Sequence, residues 1–339
     1  MPERYLVTGC AGFIASRVTE LLLEAGHVVV GVDELNDAYD PRLKQWRLAR
    51  LEPHPRFRFH RLDIADAAAV DALFAADARG ADPPQADRPP YAAVVNLAAR
   101  AGVRPSVEAP GVYFSTNCQG TLNLLEACRR HGVGKFLLAS TSSLYGAGNP
   151  VPYREDADTD RPLSPYAASK KAAEALAYTY HYLHGIDCSV PRYFTVYGPA
   201  GRPDMSVFRF VRRIAEGEPI VVFGDGSQQR DFTYVDDIAR GTVAALRPLG
   251  YAVFNLGGDR PARLLDVVEQ IASLLGTRAQ IDYRPAHPAD VPATWADVGR
   301  ARELLGWKPQ VSLEEGLRRT VAWYRDNRQT VLPLELGDR

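Results

Sequence analysis

The composition of this chain excludes several classes of protein. Its 339 residues include 40 Lys and Arg against 41 Asp and Glu, which gives a formal net charge of -1 at pH 7. This balance offers no electrostatic attraction to nucleic acid or to acidic membranes, so we expect neither as a partner. The length is enough for two domains or one large domain with a sizeable core.

The cysteines and the apolar segments indicate the cellular compartment of the protein. The four cysteines lie far apart and predict neither a zinc site nor a disulfide framework, so we expect no metal and reduced thiols. No signal peptide precedes the first predicted strand, and no apolar run is long enough to span a bilayer. We therefore expect a cytoplasmic protein.

Strands and helices alternate through the first half of the chain. The hydrophobic pattern predicts strands at 5–7, 27–33, 57–62, 92–97, 135–140 and 187–194, helices at 13–25, 43–51, 65–76, 112–131 and 164–184, and a surface loop at 80–90. After residue 198 the pattern predicts helices at 207–217, 235–246, 264–275, 300–305 and 313–327, with strands at 219–223, 254–256 and 278–283. Regular alternation predicts an α/β fold with a doubly wound parallel (Rossmann) sheet.

The break in this alternation predicts two domains. We expect residues 1–190, joined by 232–258, to form a dinucleotide-binding domain. Residues 191–231 and 259–330 would then form a smaller, interleaved α/β domain that binds the substrate.

The first strand, turn, helix and second strand form a dinucleotide-binding pattern in TGCAGFIAS and the segment after it. Gly9 permits the tight turn, Gly12 lets a pyrophosphate approach the backbone, and Ala15 stands where a third glycine is usual. The helix that follows offers free N–H groups to the phosphates. Asp33, at the end of the second strand, would accept both ribose hydroxyls and repel a 2′-phosphate, which favours NAD over NADP.

Tyr166 and Lys170, in the segment YAASK, are the candidates for proton transfer. Residues four apart meet on one helix face, so the Lys170 ammonium can lie beside the phenol and lower its pKa. Taken alone, such a pair is more often an ordinary i,i+4 pair on a solvated helix than a catalytic pair. Thr141 changes the balance, because it ends the preceding strand, and ligands bind at the carboxyl ends of the strands in a doubly wound sheet.

Several motifs in order resemble one family over nearly the whole chain. TGCAGFIAS, Asp63-Ile64, NLAARAG, STSSLYG, YAASK and RDFTYVDDIA are similar to the extended short-chain dehydrogenases, in the NAD-dependent nucleotide-sugar epimerase/dehydratase group. The resemblance implies bound NAD, a nucleotide-sugar substrate such as a UDP-sugar, and a homodimer formed by the helices near 112–131 and 164–184. It also implies a catalytic triad of Thr141, Tyr166 and Lys170.

The resemblance assigns binding residues by motif position. The implied cofactor-binding residues are Gly9, Gly12, Phe13, Ile14, Asp33, Asn36, Asp63, Ile64, Leu97, Ala98, Ala99, Asn117, Ser140, Tyr166, Lys170 and Tyr193. The implied substrate-binding residues are Ser142, Ser143, Thr195, Arg202, Val222, Phe223 and Arg230, with Arg230 on the diphosphate.

The residues beside Thr141 indicate the reaction. Dehydratases of this group carry an Asp-Glu pair there, and related decarboxylases carry Glu at the second position. In this chain Ser142 and Ser143 stand at these positions, and serines cannot act as general acids or bases at neutral pH. That leaves epimerisation at C4 through a transient 4-keto sugar.

The sugar is indicated by residues that suit a carboxylate. The segments around AARAGVR and FTVYGPAGRPDM resemble the UDP-glucuronate branch more than the UDP-glucose branch, and Thr195 stands where the latter carries Asn. Ser142, Ser143 and Thr195 supply hydroxyl donors, and Arg202 supplies a cation. We therefore expect conversion of UDP-glucuronate to UDP-galacturonate. The alternatives are a UDP-glucose/UDP-galactose or other nucleotide-sugar epimerase and, from another class, a non-catalytic NAD-binding regulator.

Three positions depart from the pattern. His287 stands where UDP-glucose epimerases carry an arginine that binds the diphosphate, and Ala289 replaces the usual glycine. Pro191 interrupts a predicted strand just before Arg192 and predicts a displaced strand end.

Overall fold

The computed structural model describes residues 2–79, 89–286 and 291–337. The strands are, in chain order, β1 Arg4–Thr8, β2 Val28–Asp33, β3 Phe57–Arg61, β4 Ala93–Asn96, β5 Lys135–Leu138, β6 Ser140–Thr141, β7 Asp187–Tyr193, β8 Thr195–Tyr197, β9 Ile220–Phe223, β10 Gln229–Arg230, β11 Phe232–Tyr234, β12 Tyr251–Leu256, β13 Ala262–Arg263 and β14 Ile281–Arg284. The α-helices are α1 Phe13–Glu24, α2 Pro41–Leu51, α3 Ala67–Arg79, α4 Val103–Glu108, α5 Pro110–Tyr113, α6 Gly120–His131, α7 Pro165–His184, α8 Ser206–Ala215, α9 Val235–Ala244, α10 Leu264–Leu275, α11 Gly299–Leu305, α12 Leu313–Asp326 and α13 Arg328–Val331. Phe114–Gln119 is a π-helix and Ser142–Tyr145 is a 3-10 helix.

A parallel sheet in the order β3-β2-β1-β4-β5-β7-β12 forms the centre of the molecule, with β6 beside β7. The strand order reverses between β1 and β4, because the chain crosses from β3 back to the other side of β1. In sheets of this kind, ligands bind outside the carboxyl ends of the strands at such a reversal. The predicted doubly wound Rossmann fold is confirmed.

Helices cover both faces of this sheet. Successive strand residues point to opposite faces. Leu6 and Val94 therefore pack in one buried cluster, with α3, α6 and α7. Their neighbours Val7 and Val95 pack in another, with α1 and α9. Both clusters exclude water from the sheet and fix the positions of its carboxyl ends.

A third apolar cluster lies in the C-terminal part of the chain, where α8, α10 and α12 pack around the β9–β14 pair through residues such as Phe208, Val267 and Leu317. Two further pairs, β8 with β11 and β10 with β13, lie outside the central sheet. The hydrophobic pattern did not reveal these four strands, because two or three residues are too few to show alternation.

The helix predicted at 112–131 is not uniform. The structure divides this segment into α5, the π-helix Phe114–Gln119 and α6. An amphipathic pattern with a period of 3.6 residues does not distinguish a π-helical turn from an α-helical one.

The strand β7 continues through Pro191 without displacement. Lys135 pairs with Asp187 before the proline, and Ser140 pairs with Arg192 after it, in the same register. This register places Pro191, which lacks an N–H, opposite the break between β5 and β6. The prediction of a displaced strand end is therefore wrong.

Some predictions fall outside the described residues. These are most of the loop at 80–90, together with His287 and Ala289. Among the helices that the structure describes, none has the length and apolar character needed to cross a membrane. Within the same residues, no group of three or more His, Cys, Asp or Glu side chains is arranged to hold a metal ion.

Candidate active site

The turn between β1 and α1 lines a cavity at the carboxyl edge of the sheet through Gly9 and Gly12. Gly9 has a φ of +70°, and a Cβ there would lie 2.8 Å from the Cα of Ala98. A Cβ on Gly12 would lie 2.8 Å from the carbonyl oxygen of Gly9. The first N–H groups of α1 have no intrahelical partner, and no side chain caps them, so they remain available to a ligand. This turn has the space and the positive dipole end that a pyrophosphate requires.

Asp33 lies at the end of β2 on the wall of the same cavity. Its carboxylate accepts hydrogen bonds from the N–H groups of Ala11 at 3.2 Å and Leu35 at 2.8 Å. The Nζ of Lys44 lies 3.9 Å from Asp33 and donates to the side-chain oxygen of Asn36 at 2.8 Å. Burial lowers the pKa of Lys44, and the charge of Asp33 acts in the opposite direction.

Nearly all the predicted cofactor-binding residues line this first cavity. They are Gly9, Gly12, Phe13, Ile14, Asp33, Asn36, Asp63, Ile64, Leu97, Ala98, Ala99, Ser140, Tyr166, Lys170 and Tyr193. Asn117 is the exception. It is buried in the π-helix, where its side chain hydrogen-bonds the N–H and the carbonyl of Arg100 and the hydroxyl of Ser169, each at 2.9 Å. In this position Asn117 supports the wall of the cavity without lining it.

The helix α7 positions Tyr166 and Lys170. The hydroxyl of Ser164 caps its N-terminus by accepting the N–H of Ala167 at 3.2 Å, and Pro165 occupies the first turn. Tyr166 lies in this turn and is hydrogen-bonded to Thr141. One turn later, Lys170 donates to the carbonyl of Ala139 at 2.9 Å. The carboxyl edge of the sheet therefore meets the N-terminus of α7 at the three predicted catalytic residues.

The surroundings of the pair shift both pKa values. Burial raises the pKa of Tyr166, whereas the hydrogen bond from Thr141 and the charge of Arg202 act to lower it. Burial lowers the pKa of Lys170 to about 8, and the charge of Glu174 opposes this shift. Arg202 is therefore a cation that acts on the phenol, whereas Lys170 is directed to the backbone of Ala139. That Lys170 lowers the pKa of Tyr166 stays a prediction.

A second cavity of about 360 Å³ adjoins the first and shares Tyr166, Ser140 and Arg202 with it. This volume is within the range of small-molecule sites. The predicted substrate residues that line it are Ser142, Ser143, Thr195, Arg202 and Arg230. Two hydrogen bonds join Ser143 to Thr141. The Thr141 hydroxyl donates to the Ser143 hydroxyl at 3.2 Å, and the Ser143 N–H donates to the Thr141 hydroxyl oxygen at 3.1 Å.

Arg202 lies at the junction of the two cavities. Its guanidinium forms an ion pair with Asp204 at 2.6 Å and lies 5.4 Å from the ring centre of Tyr39. Only 18% of its side chain is exposed. Arg202 is therefore a fixed, partly buried cation beside Tyr166 and not a solvated loop arginine.

Val222 and Phe223 are not among the residues that line either cavity. Val222 is fully buried in the C-terminal apolar cluster. The ring of Phe223 is covered by the guanidinium of Arg104 at 3.9 Å. The structure thus brings together five of the predicted substrate residues and leaves these two in the packing of β9.

Comparisons with known proteins match this geometry. The model of the NAD dependent epimerase/dehydratase family matches residues 5–257. A UDP-glucuronate 4-epimerase of Thermodesulfobacterium geofontis is 53% identical over 333 residues, which cover 98% of this chain and 99% of the relative.

The chain belongs to the NAD-dependent epimerase/dehydratase family. Among solved structures, the UDP-glucuronic acid 4-epimerase of Bacillus cereus in complex with UDP-glucuronic acid and NAD is 37% identical, with a TM-score of 0.86 over 95% of this chain and 99% of that one. The UDP-glucose 4-epimerase of Thermotoga maritima with UDP-glucose is 33% identical, with a TM-score of 0.86 over 96% of this chain and 99% of that one. The predictions of an NAD-dependent epimerase and of an extended short-chain dehydrogenase fold are confirmed. The alternative of a non-catalytic regulator is set aside.

Sequence analysis of this epimerase missed a cluster on α2. Arg47 is almost fully buried and donates to the carbonyls of Ala11, Ala200 and Gly201 and to the Tyr39 hydroxyl. It thereby ties the glycine turn to the loop that carries Arg202. The available signal was charge on the apolar stripe of the helix, since Lys44 and Arg47 share a face with buried leucines.

Proposed function

We propose that this protein is a UDP-glucuronate 4-epimerase that converts UDP-glucuronate to UDP-galacturonate through a transient 4-keto sugar. The observation that carries the proposal is the set of donors beside Tyr166, namely the hydroxyls of Ser142, Ser143 and Thr195 and the guanidinium of Arg202. A carboxylate on C5 of the sugar requires donors of this kind. The names of the relatives support the same substrate.

The residues of the first cavity fit NAD. The glycine turn and the N-terminus of α1 would hold its pyrophosphate, Asp33 its adenosine ribose, and Lys170 its nicotinamide ribose. When bound, NAD accepts the hydride from C4 of the sugar and returns it to the opposite face. The carboxylate of Asp33 favours NAD, because a 2′-phosphate at this position would meet a negative charge.

Tyr166 acts as the general base and then as the general acid in this proposal. Its phenolate takes the proton from O4 of the sugar. It returns the proton after the 4-keto sugar has rotated to present its opposite face. Thr141, which is hydrogen-bonded to the phenol, holds O4 in line with it. The charge of Arg202 stabilises the phenolate against the cost of burial.

The hydroxyl donors have a second task, because the 4-keto intermediate is a β-keto acid. Such an acid loses CO₂ when the bond to the carboxylate aligns with the π system of the ketone. We infer that Ser142, Ser143 and Thr195 hold the carboxylate away from this alignment, and that Arg202, oriented by Asp204, compensates its charge.

We further propose a division of labour between two parts of the chain. Residues 1–190 with 232–258 would bind NAD, and residues 191–231 with 259–330 would bind the nucleotide sugar, with Arg230 on the diphosphate. The apolar cluster around α8, α10 and α12 supports a second packing unit. It is continuous with the first part of the chain, because Phe13 and Leu43 pack in it, while Ala301 and Trp307 pack with the central sheet.

A homodimer is also part of the proposal. The outer face of α7 exposes Tyr178, Tyr182 and Leu183 near its C-terminus, and we call these three residues the α7 patch. Phe114 is exposed on the π-helix, which packs against the N-terminal half of α7. Large apolar side chains grouped in this way mark an interaction surface, and a second copy of the chain would cover both helices at once. We propose a cytoplasmic enzyme without nucleic-acid partners, in keeping with a net charge of -1 and free cysteines.

The test is to incubate the purified protein with UDP-glucuronate and, separately, with UDP-glucose. Products are separated by chromatography and weighed by mass spectrometry. We expect an isomer of unchanged mass from UDP-glucuronate, formed with a much higher kcat/KM than any product of UDP-glucose. Preferential conversion of UDP-glucose would contradict the proposed substrate and return Arg202 to a structural role.

A further inference from the structure

A buried ion pair lies directly behind the row of hydroxyls that lines the substrate cavity. Glu174, on α7, and Arg192, on β7, form two hydrogen bonds, from Nε at 3.0 Å and from Nη2 at 2.8 Å. Their side chains are only 6% and 5% exposed. Neither residue is among those that line the two cavities. The pair therefore acts through other residues and not on the substrate itself.

Each partner also holds one end of the segment Ser140–Tyr145. The hydroxyl of Ser140 donates to Glu174 at 2.5 Å. At the other end, the Nη1 of Arg192 donates to the hydroxyl of Tyr145 at 3.1 Å, and the guanidinium lies 5.0 Å from the centre of the tyrosine ring. Between these two anchors lie Thr141, Ser142 and Ser143, the hydroxyls that face the sugar.

The energetics indicate that the pair serves geometry more than stability. Burying two charges costs free energy that their attraction repays only in part, so a buried ion pair is weak support for stability. Glu174 raises the pKa of Arg192 against the lowering effect of burial, which keeps the pair charged. A charged, bidentate contact fixes both direction and distance in a way that apolar packing does not.

We propose that Glu174 and Arg192 are positioning residues that keep the 4-keto intermediate from losing its carboxylate. The inference rests on the proposed UDP-glucuronate 4-epimerase activity. By clamping both ends of Ser140–Tyr145, the pair holds the hydroxyls in the arrangement that keeps the carboxylate out of line with the ketone. When the clamp is loosened, the bond from C5 to the carboxylate breaks. CO₂ leaves, the electron pair forms the enolate of the C4 ketone, and C5 then takes a proton from water.

The test measures how the consumed substrate divides between two products. UDP-glucuronate is supplied to the wild type, to Glu174→Gln and to Tyr145→Phe. Mass spectrometry follows the isomer and two decarboxylated products: the UDP-4-keto-pentose, lighter by CO₂ and H₂, and the UDP-pentose formed when the hydride returns to C4, lighter by CO₂ alone. Tyr145→Phe removes one anchor, together with the hydrogen bond from Tyr145 to Asn255 at 2.6 Å, and leaves the ion pair intact. It therefore provides a second test should Glu174→Gln fold poorly. We expect the decarboxylated fraction to rise about tenfold in both variants, a change of about 1.4 kcal/mol in the difference between two barriers.

Asp187→Asn is the matched control. Asp187, like Arg192, lies on β7, but it forms its ion pair with Lys135 on β5, at the amino ends of these strands and away from the cavities. This variant should lose thermal stability with no change in the decarboxylated fraction. A second readout is affinity: calorimetry should show weaker binding of UDP-glucuronate to Glu174→Gln and unchanged binding of UDP.

The outcomes separate this inference from the proposed function. If the wild type isomerises UDP-glucuronate but both variants merely slow down, with the wild-type product ratio, the pair is structural and the inference is wrong. An equal rise in the Asp187→Asn control would overturn it too. If the wild type leaves UDP-glucuronate unchanged, the proposed function itself fails.

Discussion

Lys170 and Tyr166 lie one helical turn apart on α7, and burial moves their pKa values in opposite directions. The pKa of the phenol is raised, and that of the ammonium is lowered to about 8. Each shift disfavours the charged form that the reaction requires. Neighbouring groups counter these shifts, through Thr141 and Arg202 at the phenol and through Glu174 at the ammonium.

The pKa of Lys170 predicts the alkaline side of the pH profile. The ammonium is present below pH 8 and is lost as the pH rises through that value, so the enzyme loses the cation that holds the nicotinamide ribose. We expect kcat at pH 9 to be about one tenth of kcat at pH 7.5. Lys170→Arg is the control, because its guanidinium keeps its charge and its slower rate should show no such fall. A wild-type rate that stays constant to pH 9.5 would contradict this role for Lys170.

Ser143 tests the carboxylate site at a single residue. A glutamate at this position would place a negative charge against the sugar carboxylate, and like charges in a partly buried site repel strongly. We expect Ser143→Glu to lower kcat/KM for UDP-glucuronate about 100-fold, which corresponds to about 2.7 kcal/mol. Ser143→Ala, which removes only a hydroxyl, should lose about tenfold or less. Unchanged kinetics in Ser143→Glu would show that the carboxylate binds elsewhere.

At the scale of single elements, the π-helix Phe114–Gln119 connects the surface to the cofactor cavity. It directs Asn117 inward, where its amide holds both backbone groups of Arg100 and the hydroxyl of Ser169. The segment that ends at Arg100 includes three cavity-lining residues, Leu97 to Ala99. The π-helix thus joins this wall to α7.

We expect Asn117→Ala to weaken NAD binding about tenfold. The loss of these hydrogen bonds removes about 1 kcal/mol or more of the free energy that holds the cavity wall in place. Calorimetric titration of NAD into protein freed of cofactor measures the change. Gln119→Ala, at an exposed position of the same π-helix, is the control and should bind NAD as the wild type does. Equal affinities in the wild type and Asn117→Ala would leave Asn117 with a role in folding alone.

The elements also show how far sequence reasoning reaches. The strands and helices around the central sheet follow from hydrophobic periodicity, since each buries a continuous apolar face. The glycine turn and the YAASK helix could be placed because their spacing has a direct geometric meaning. The short strands β8 and β11 could not be predicted, because their pairing partners lie far away in sequence.

The site was predictable to a similar degree. Motif positions identified about half of the residues that line the two cavities, mainly those that follow a strand of the central sheet. Spacing along one helix reports only local neighbours, so it indicated Lys170 beside Tyr166 and could not show Arg202, which approaches from a distant loop. Lys44 and Arg47 did have a local signal, charge on the apolar stripe of α2, but the spacing does not show which distant groups they contact.

At the scale of the whole molecule, the α7 patch predicts the oligomeric state. Light scattering coupled to gel filtration should give twice the chain mass of 37.3 kDa. Tyr182 is 76% exposed within the patch, and Tyr182→Glu should shift the protein toward the monomer. Tyr283→Glu is the matched control, because Tyr283 is 54% exposed on β14, outside the patch. A wild-type protein of single-chain mass would contradict the proposed dimer.

The central claim is that one site oxidises C4, lets the 4-keto sugar rotate, and returns the same hydride to its opposite face. The carboxylate stays attached to C5 throughout. The most direct measurement uses UDP-glucuronate labelled with deuterium at C4 and with carbon-13 in the carboxylate, followed by NMR and mass spectrometry. The account predicts UDP-galacturonate that retains the deuterium at C4 and the carbon-13 in full. Exchange of the deuterium with water, or release of labelled CO₂ by the wild type, would contradict it.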